Sequence, residues 1–303
     1  MNEKRHLFSA QSPSHTAQAA SPTLLGRMLA RIRPQSESIQ RFTIKEELGS
    51  GCMGEIYRAT DNLTGADIAL KVAYNAHESR VAAKNELRAI GGLRHENLVN
   101  ILGNGRFRDG QFEGRTFIIL EFVDGKDLGT IITEGRGVPA PSVRPVLLGI
   151  CNALSAAHGS GIVHMDVKPS NILVAGDTAK LADFGVSMKT GTSQLSLFQP
   201  TFMAGQGNLS YAAPEMFSLD AKADPRIDIY ALGMVALHAV GGETPAVIPW
   251  LDANAKAAIR RSIGRLPGGV SDIVSKAVCA IADERYQSAQ EMADAVRRNW
   301  PAS

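Results

Sequence analysis

Between His164 and Gly185 the chain sets two acids, an amide and a lysine at close offsets: Asp166, Lys168 and Asn171, then Asp183. A carboxylate can take a proton from a hydroxyl, and carboxylate and amide oxygens are hard donors suited to magnesium. The stretch reads His164-Met165-Asp166-Val167-Lys168-Pro169-Ser170-Asn171-Ile172-Leu173, then Leu181-Ala182-Asp183-Phe184-Gly185. Polar groups separated by short apolar runs suit a loop, a two-stranded ribbon and a second loop facing one cleft.

The elements that must hold these groups are legible on both sides. Phe42-Thr43-Ile44 and Ile56-Tyr57-Arg58-Ala59 are strand-like, with Leu48-Gly49-Ser50-Gly51-Cys52-Met53-Gly54-Glu55 between them. G-x-G-x-x-G alone is a weak signal, because dinucleotide-binding folds share it, but those need a helix after the last glycine. Here a β-branched and aromatic run follows, which predicts strand, glycine turn and strand. Such a flap can lower backbone N–H groups onto phosphates with no Cβ in the way. Ile68-Ala69-Leu70-Lys71-Val72 is the next strand, and a lone lysine there is ordinarily an edge or snorkelling residue. Leu98-Val99-Asn100-Ile101-Leu102 and Thr116-Phe117-Ile118-Ile119-Leu120 are two further strands, with a helix expected over 81–93. Beyond Gly125, Leu147, Leu148, Ile150, Leu154 and Ala157 recur at helical spacing and lead into Gly161-Ile162-Val163-His164.

In this order the motifs resemble those of the eukaryotic-type protein kinases. Ala213-Pro214-Glu215 and Asp228-Ile229-Tyr230-Ala231-Leu232-Gly233 extend the likeness, and Asp283 to Met292 is similar to the ending of bacterial members, so that it covers roughly Phe42 to Trp300. The resemblance implies an α+β, bilobal fold over 41–300. A small five-stranded antiparallel lobe with one helix would occupy about 41–121, and a larger, mainly helical lobe about 126–300.

The resemblance also implies ATP and Mg2+ as cofactors and protein serine or threonine hydroxyls as acceptors. Asp166 would orient the hydroxyl and take its proton late, Lys168 would reach the transferring phosphate, and Asn171 and Asp183 would hold magnesium. Lys71 would bind phosphate oxygens and pair with Glu86, chosen over Glu78 and Glu96 because it stands nine residues before His95. Gly49, Gly51 and Gly54 would cover the phosphates. Backbone around Glu121 to Val123 would bond the adenine edge, with Leu120 guarding the space behind, while Leu48, Ile56, Ala69 and Leu173 would sandwich the ring. Each of these apolar residues taken singly reads as plain core. His164 would stack under Phe184, Asp228 would brace the catalytic loop, and Glu215 and Arg285 would form a buried ion pair. A lysine two residues after the catalytic Asp marks the serine/threonine branch.

Three positions depart from the family pattern. Met165 stands where an arginine usually pairs with a phosphate on the activation segment, so control by that modification is expected to be weak or differently built. Asn208 stands in place of a threonine, where an amide could still bond Asp166 and Lys168. The region from Gly241 to Arg265 is short and Ala-rich, so a helix used for docking is expected to be reduced. These changes keep open a second reading, a pseudokinase scaffold. Lys71, Glu86, Asp166, Asn171 and Asp183 together argue against it, and Ala213-Pro214-Glu215, Asp228 and Arg285 argue against a small-molecule kinase.

Composition bounds the remainder. A length of 303 residues, 44% hydrophobic and 20% charged, is that of an ordinary globular protein, and a net charge of +2 offers no nucleic-acid stripe. No apolar run is long enough for a membrane span, no secretory signal opens the chain, and the oligomeric state is not written here. Cys52, Cys151 and Cys279 lack metal or disulfide spacing, and His158 and His164 read as core histidines. Residues 1–40 are Ser-, Gln- and Pro-rich and expected to be disordered. Within them Leu24, Leu25, Met28, Leu29 and Ile32 mark a short amphipathic helix, either docked on the domain or facing a partner or membrane. A free cytoplasmic enzyme is expected, with an effector kinase injected into a host cell as the alternative.

Overall fold

The computed structural model describes residues 35–51, 54–75, 77–193, 209–218, 220–243 and 253–302. The smaller lobe contains β1 (Gln35–Glu37), β2 (Phe42–Gly51), β3 (Gly54–Asp61), β4 (Ala66–Ala73), α1 (His77–Ile90), β5 (Ile101–Phe107) and β6 (Thr116–Glu121). These strands form one sheet in the order β1-β5-β6-β4-β3-β2, antiparallel except where β1 lies parallel to β5. Alternation along β4 divides the sheet into two faces. Ile68, Leu70 and Val72 join Phe42, Phe107, Phe117 and Ile119 in a cluster on one face, where the Phe107 and Phe117 rings lie 4.5 Å apart. Ala69, Lys71 and Ala73 take the other face, toward α1 and the cleft.

Two strand expectations need correcting. The sheet has a sixth strand, β1, so residues 35–40, assigned to a disordered extension, are ordered. Ile39 N–H donates to Asp109 Oδ1 at 2.8 Å and Arg41 pairs with Asp61 at 2.8 Å. Backbone pairing at a sheet edge and polar ties need no apolar residues, so composition carried no sign of it. β5 begins at Ile101 rather than Leu98. Val99 N–H donates to Leu181 O at 2.9 Å and Leu181 N–H to Asn97 O at 2.8 Å, which commits that stretch to the other lobe.

The larger lobe follows with β7 (Lys126–Asp127), α2 (Leu128–Gly135), α3 (Ala140–Gly159), β8 (Ile162–Val163), β9 (Ile172–Ala175), β10 (Thr178–Leu181), β11 (Met188–Lys189), α4 (Pro225–Gly241), α5 (Ala253–Ile263), α6 (Gly268–Ala277) and α7 (Ala289–Asn299). Asp224 caps α4 by accepting Arg226 N–H at 2.8 Å, and Gly242 ends it at φ +73°, where a Cβ would lie 2.4 Å from Arg136 O. Every residue from Ile227 to Ala239 is buried, as expected of a helix apolar on all sides. One apolar cluster runs from Ala83, Leu87 and Leu98 through Phe184 to α3 and α4, so the two lobes share a core.

The Ala-rich region still forms α5, while 244–252, Cys52, Asn208 and the stretch from Leu24 to Ile32 lie outside the described residues. Among the described residues, no helix is long and apolar enough to cross a membrane.

Candidate active site

Lys71 points into the cleft because its neighbours on β4 point away from it. The α1 face carrying Ala83, Glu86, Leu87 and Ile90 is buried against the sheet, which leaves Glu86 only 1% exposed. Lys71 Nζ lies 2.8 Å from Glu86 Oε2 and 2.7 Å from Asp183 Oδ1. Glu96 is exposed in the turn after α1, and the Glu78 side chain lies outside the described residues. Burial works against the Lys71 charge, but the Asp183 and Glu86 carboxylates outweigh it and push its pKa up. For Asp183 burial is again opposed by Lys71, which holds the carboxyl at about 2. Glu86 moves the other way: burial raises it, with Lys71 only partly offsetting.

The two loops carrying the acids are stitched together. β11 pairs antiparallel with β8, and Ala182 N–H donates to Asn171 O at 2.9 Å. Asp183 sits at φ +63°, a left-handed turn closed by Gly185 N–H on its own Oδ1 at 3.2 Å. In the other loop, Lys168 Nζ lies 2.7 Å from Asp166 Oδ2, and Asn171 Nδ2 donates to Asp166 O at 2.8 Å and to Oδ2 at 3.1 Å. Burial pushes the Asp166 carboxyl up, and Lys168 restrains that rise.

Beneath the loops, Asp228 at the start of α4 accepts the backbone N–H groups of His164 and Met165, each at 2.8 Å. His158 Nε2 lies 2.8 Å from the same carboxylate. His164 Nδ1 accepts Asp166 N–H at 3.2 Å, which leaves Nε2, 3.0 Å from Ala182 O, to carry the ring proton. The Phe184 ring meets His164 edge-on at 4.4 Å rather than flat. Met165 is buried, 5% exposed, within the core.

The pocket residues fall on three sides of the cleft. In the flap, Gly49 opposes Ile56 and Gly51 opposes Gly54 across the hairpin. A Cβ on Gly54 would lie 2.4 Å from Val72 O, whereas one on Gly49 or Gly51 meets nothing within 4 Å. The fold itself demands only the last of these glycines. Leu48 stays exposed at 47%, Ile56, Val123 and Leu173 are half-buried, and Ala69 is Leu120's partner across the sheet.

Glu215 and Arg285 form a two-pronged pair at 2.6 and 2.8 Å. The remaining Arg285 donors meet the carbonyls of Cys279, Ala280 and Arg226, so this fully buried guanidinium is satisfied. Two contacts near the site gave no sequence signal. Tyr211 O–H lies 2.6 Å from His238 Nδ1, and Lys180 Nζ lies 2.7 Å from Glu121 Oε1. A polar residue within the alternating Thr178-Ala179-Lys180-Leu181 was the nearest hint of the second.

The donor set fits a hard cation brought in with phosphates. Among the described residues, no group of three or more His, Cys, Asp or Glu could hold a metal alone. Asn171 spends its nitrogen on Asp166, so its oxygen is the end left for a ligand, and Asp183 is held ionised. Magnesium keeps few protein ligands and completes its shell with phosphates and water.

A family model described as the protein kinase domain matches residues 42–277. The serine/threonine-protein kinase PknF of Mycobacterium tuberculosis is 31% identical over 277 residues, covering 84% of this chain and 55% of that protein. The serine/threonine-protein kinase pkn2 of Myxococcus xanthus is 29% identical over 273 residues, covering 84% and 32%. The crystal structure of the Mycobacterium tuberculosis PknI kinase domain, C20A mutant, superposes with a TM-score of 0.63 at 26% identity, over 88% of this chain and 98% of that one. The chain spans about half or less of the length of these curated relatives. With the acids, the lysine and the glycine flap gathered about one cleft, the chain belongs to the protein kinase family.

Proposed function

We propose that this chain is an ATP-dependent serine/threonine protein kinase that transfers the γ-phosphoryl group of ATP to protein hydroxyls. The observation that carries the reading is Lys71 held between Glu86 and Asp183 at 2.8 and 2.7 Å. This joins the lysine for the phosphates to the acid for the metal. Phosphoryl transfer needs in-line positioning and neutralised charge more than covalent chemistry. Magnesium, held by Asn171 and Asp183, would supply that neutralisation at the phosphates.

Asp166 orients the acceptor hydroxyl and takes its proton. Its raised carboxyl suits the task, since a base works best when its pKa is not far below ambient pH. Lys168, 2.7 Å from Asp166, adds positive charge where the phosphoryl group crosses. The hinge from Glu121 to Val123 offers backbone to the adenine edge, and Leu48, Ile56, Ala69 and Leu173 enclose the ring. Lys168 also supports serine and threonine as acceptors.

The test is phosphate incorporation from ATP and magnesium into a generic basic protein. Transfer by the wild-type chain that disappears in Asp166→Asn supports the reading. Thermal stabilisation by ATP with no transfer would replace it with the pseudokinase, and transfer unchanged in the variant would remove Asp166 from the mechanism.

A further inference from the structure

We propose that Arg115 is a positioning residue for the glycine flap: from the back of the sheet it pins the flap to the strand of Lys71 and so sets how tightly the phosphates of a bound nucleotide are covered. The proposal rests on the nucleotide reading above. Arg115 stands in the turn before β6, its N–H donating to Phe112 O at 2.9 Å and its carbonyl accepting Phe107 N–H at 3.0 Å. Its guanidinium lies over the Phe112 ring at 5.1 Å and the Tyr74 ring at 5.2 Å, so backbone and side chain are both held.

The end of β4 runs out of strand partners here. Its pairing with β6 stops at Val72 and Phe117, and its pairing with β3 stops at Ala73 and Gly54. Arg115 supplies side-chain donors in their place. Its Nε donates to Ala73 O at 2.9 Å and its Nη2 to Val72 O at 3.1 Å. Nη2 also meets Glu55 Oε2 at 2.6 Å. Glu55 follows the last flap glycine and opposes Val72 across the sheet. Val72 O is therefore approached twice, by Arg115 and by Gly54, whose missing Cβ lets the returning strand of the flap close on it. One guanidinium ties the flap to the strand that carries Lys71, the residue before Val72.

The face of the sheet separates this tie from ligand contact. Directly opposed residues of an antiparallel pair share a face. Val72 belongs to the phenylalanine cluster, and Tyr57, two residues after Glu55, packs on the same cluster. Glu55 and Arg115 thus lie away from the cleft, whereas Ile56 and Lys71 oppose each other on the cleft side. Lys71, Asp166, Asn171 and Asp183 make none of their hydrogen bonds through Arg115 or Glu55. Losing the tie therefore loosens the cover over the phosphates and leaves the adenine side of the pocket as it is. The Arg115 and Glu55 side chains are 15% and 22% exposed, so water and salt screen their attraction only in part.

The experiment titrates the whole chain calorimetrically with a non-hydrolysable ATP analogue plus magnesium, and separately with adenosine, which has no phosphates. Arg115→Met and Glu55→Leu should each raise the analogue's Kd about three- to tenfold, the range of one partly screened ion pair, and leave that of adenosine unchanged. Adding Glu55→Leu to Arg115→Met should cost little more, because the two act through one contact. A second arm needs no ligand: amide hydrogen exchange at Ser50 and Glu55, which oppose each other beside the flap turn, should quicken in both variants while that at Glu121 in the hinge stays the same. Unchanged analogue affinity in the folded variants overturns the proposal, as does unchanged exchange at the flap. An equal loss for adenosine makes Arg115 a structural residue only and overturns it too. Wild-type chain that binds no ATP analogue overturns the reading beneath it instead.

Discussion

Asp228 Oδ1 accepts the backbone N–H of Met165 at 2.8 Å, and Met165 holds a left-handed φ of +72°. A side chain in that region costs roughly 1–2 kcal/mol, and the buried carboxylate keeps the residue there, next to Asp166. Asp228→Ala should therefore lose about 3 kcal/mol or more, since two backbone N–H groups and His158 lose their shared partner. Transfer should fall with it. Urea denaturation alongside the transfer assay checks this, and unchanged stability would show that the brace is dispensable.

The pair of Glu215 with Arg285 makes a sharper stability prediction. Arg285 is fully buried and Glu215 27% exposed, so removing the arginine strands a partly screened carboxylate and three carbonyls, at a cost of about 3 kcal/mol. Arg285→Met should show that loss in chemical denaturation. Arg285→Lys should recover little, because one ammonium cannot replace a fork that meets a carboxylate and three carbonyls at once.

The flap glycines should separate by experiment. Gly54→Ala drives a Cβ into Val72 O and should distort the hairpin, which thermal melting will detect. Gly49→Ala and Gly51→Ala have open space around them, so stability should stay within about 0.5 kcal/mol. Their nucleotide affinity should nevertheless fall, since any crowding there is against the ligand.

Charge around Asp166 makes a pH prediction. Burial raises its carboxyl and Lys168 opposes the rise, so Lys168→Met should push it further up. In the proposed role Asp166 acts deprotonated, so the acid limb of the rate profile should shift to higher pH in the variant. An unmoved limb would mean that Asp166 does not set it.

Asp183 fixes the sign of a second pH effect. Its folded carboxyl lies at about 2, below the ordinary range, so its stabilisation is complete above the unfolded pKa and is lost as pH falls through the folded one. Lys71→Met removes the cause of that depression. The variant's stability should then depend less on pH in the acid range, as followed by denaturation at stepped pH.

How far the site could be read from residues differs from part to part. The flap, β4 and the loops around Asp166 and Asp183 were legible because each is a local pattern of glycine spacing, alternation or short acid offsets. The helix glutamate was found by its distance from His95, and its pairing with Lys71 is what the fold places there. β1, the stretch from Asn97 to Asn100 and the contact of Lys180 with Glu121 were not legible. Edge pairing leaves no apolar period, and a lone lysine in a strand reads the same whether it meets water or a distant acid.

By itself the chain order determined which chemical groups exist and which face each takes within its own strand or helix, because those follow from periods of two and 3.6 residues. Tertiary structure alone decided that Lys71 meets Asp183, 112 residues away, and that Met165 is held in a left-handed turn by a carboxylate 63 residues on. Such partners meet only because one apolar cluster runs from α1 through Phe184 to α4. Burial of that cluster fixes where the polar tips stand, and no local pattern encodes a distance set by packing.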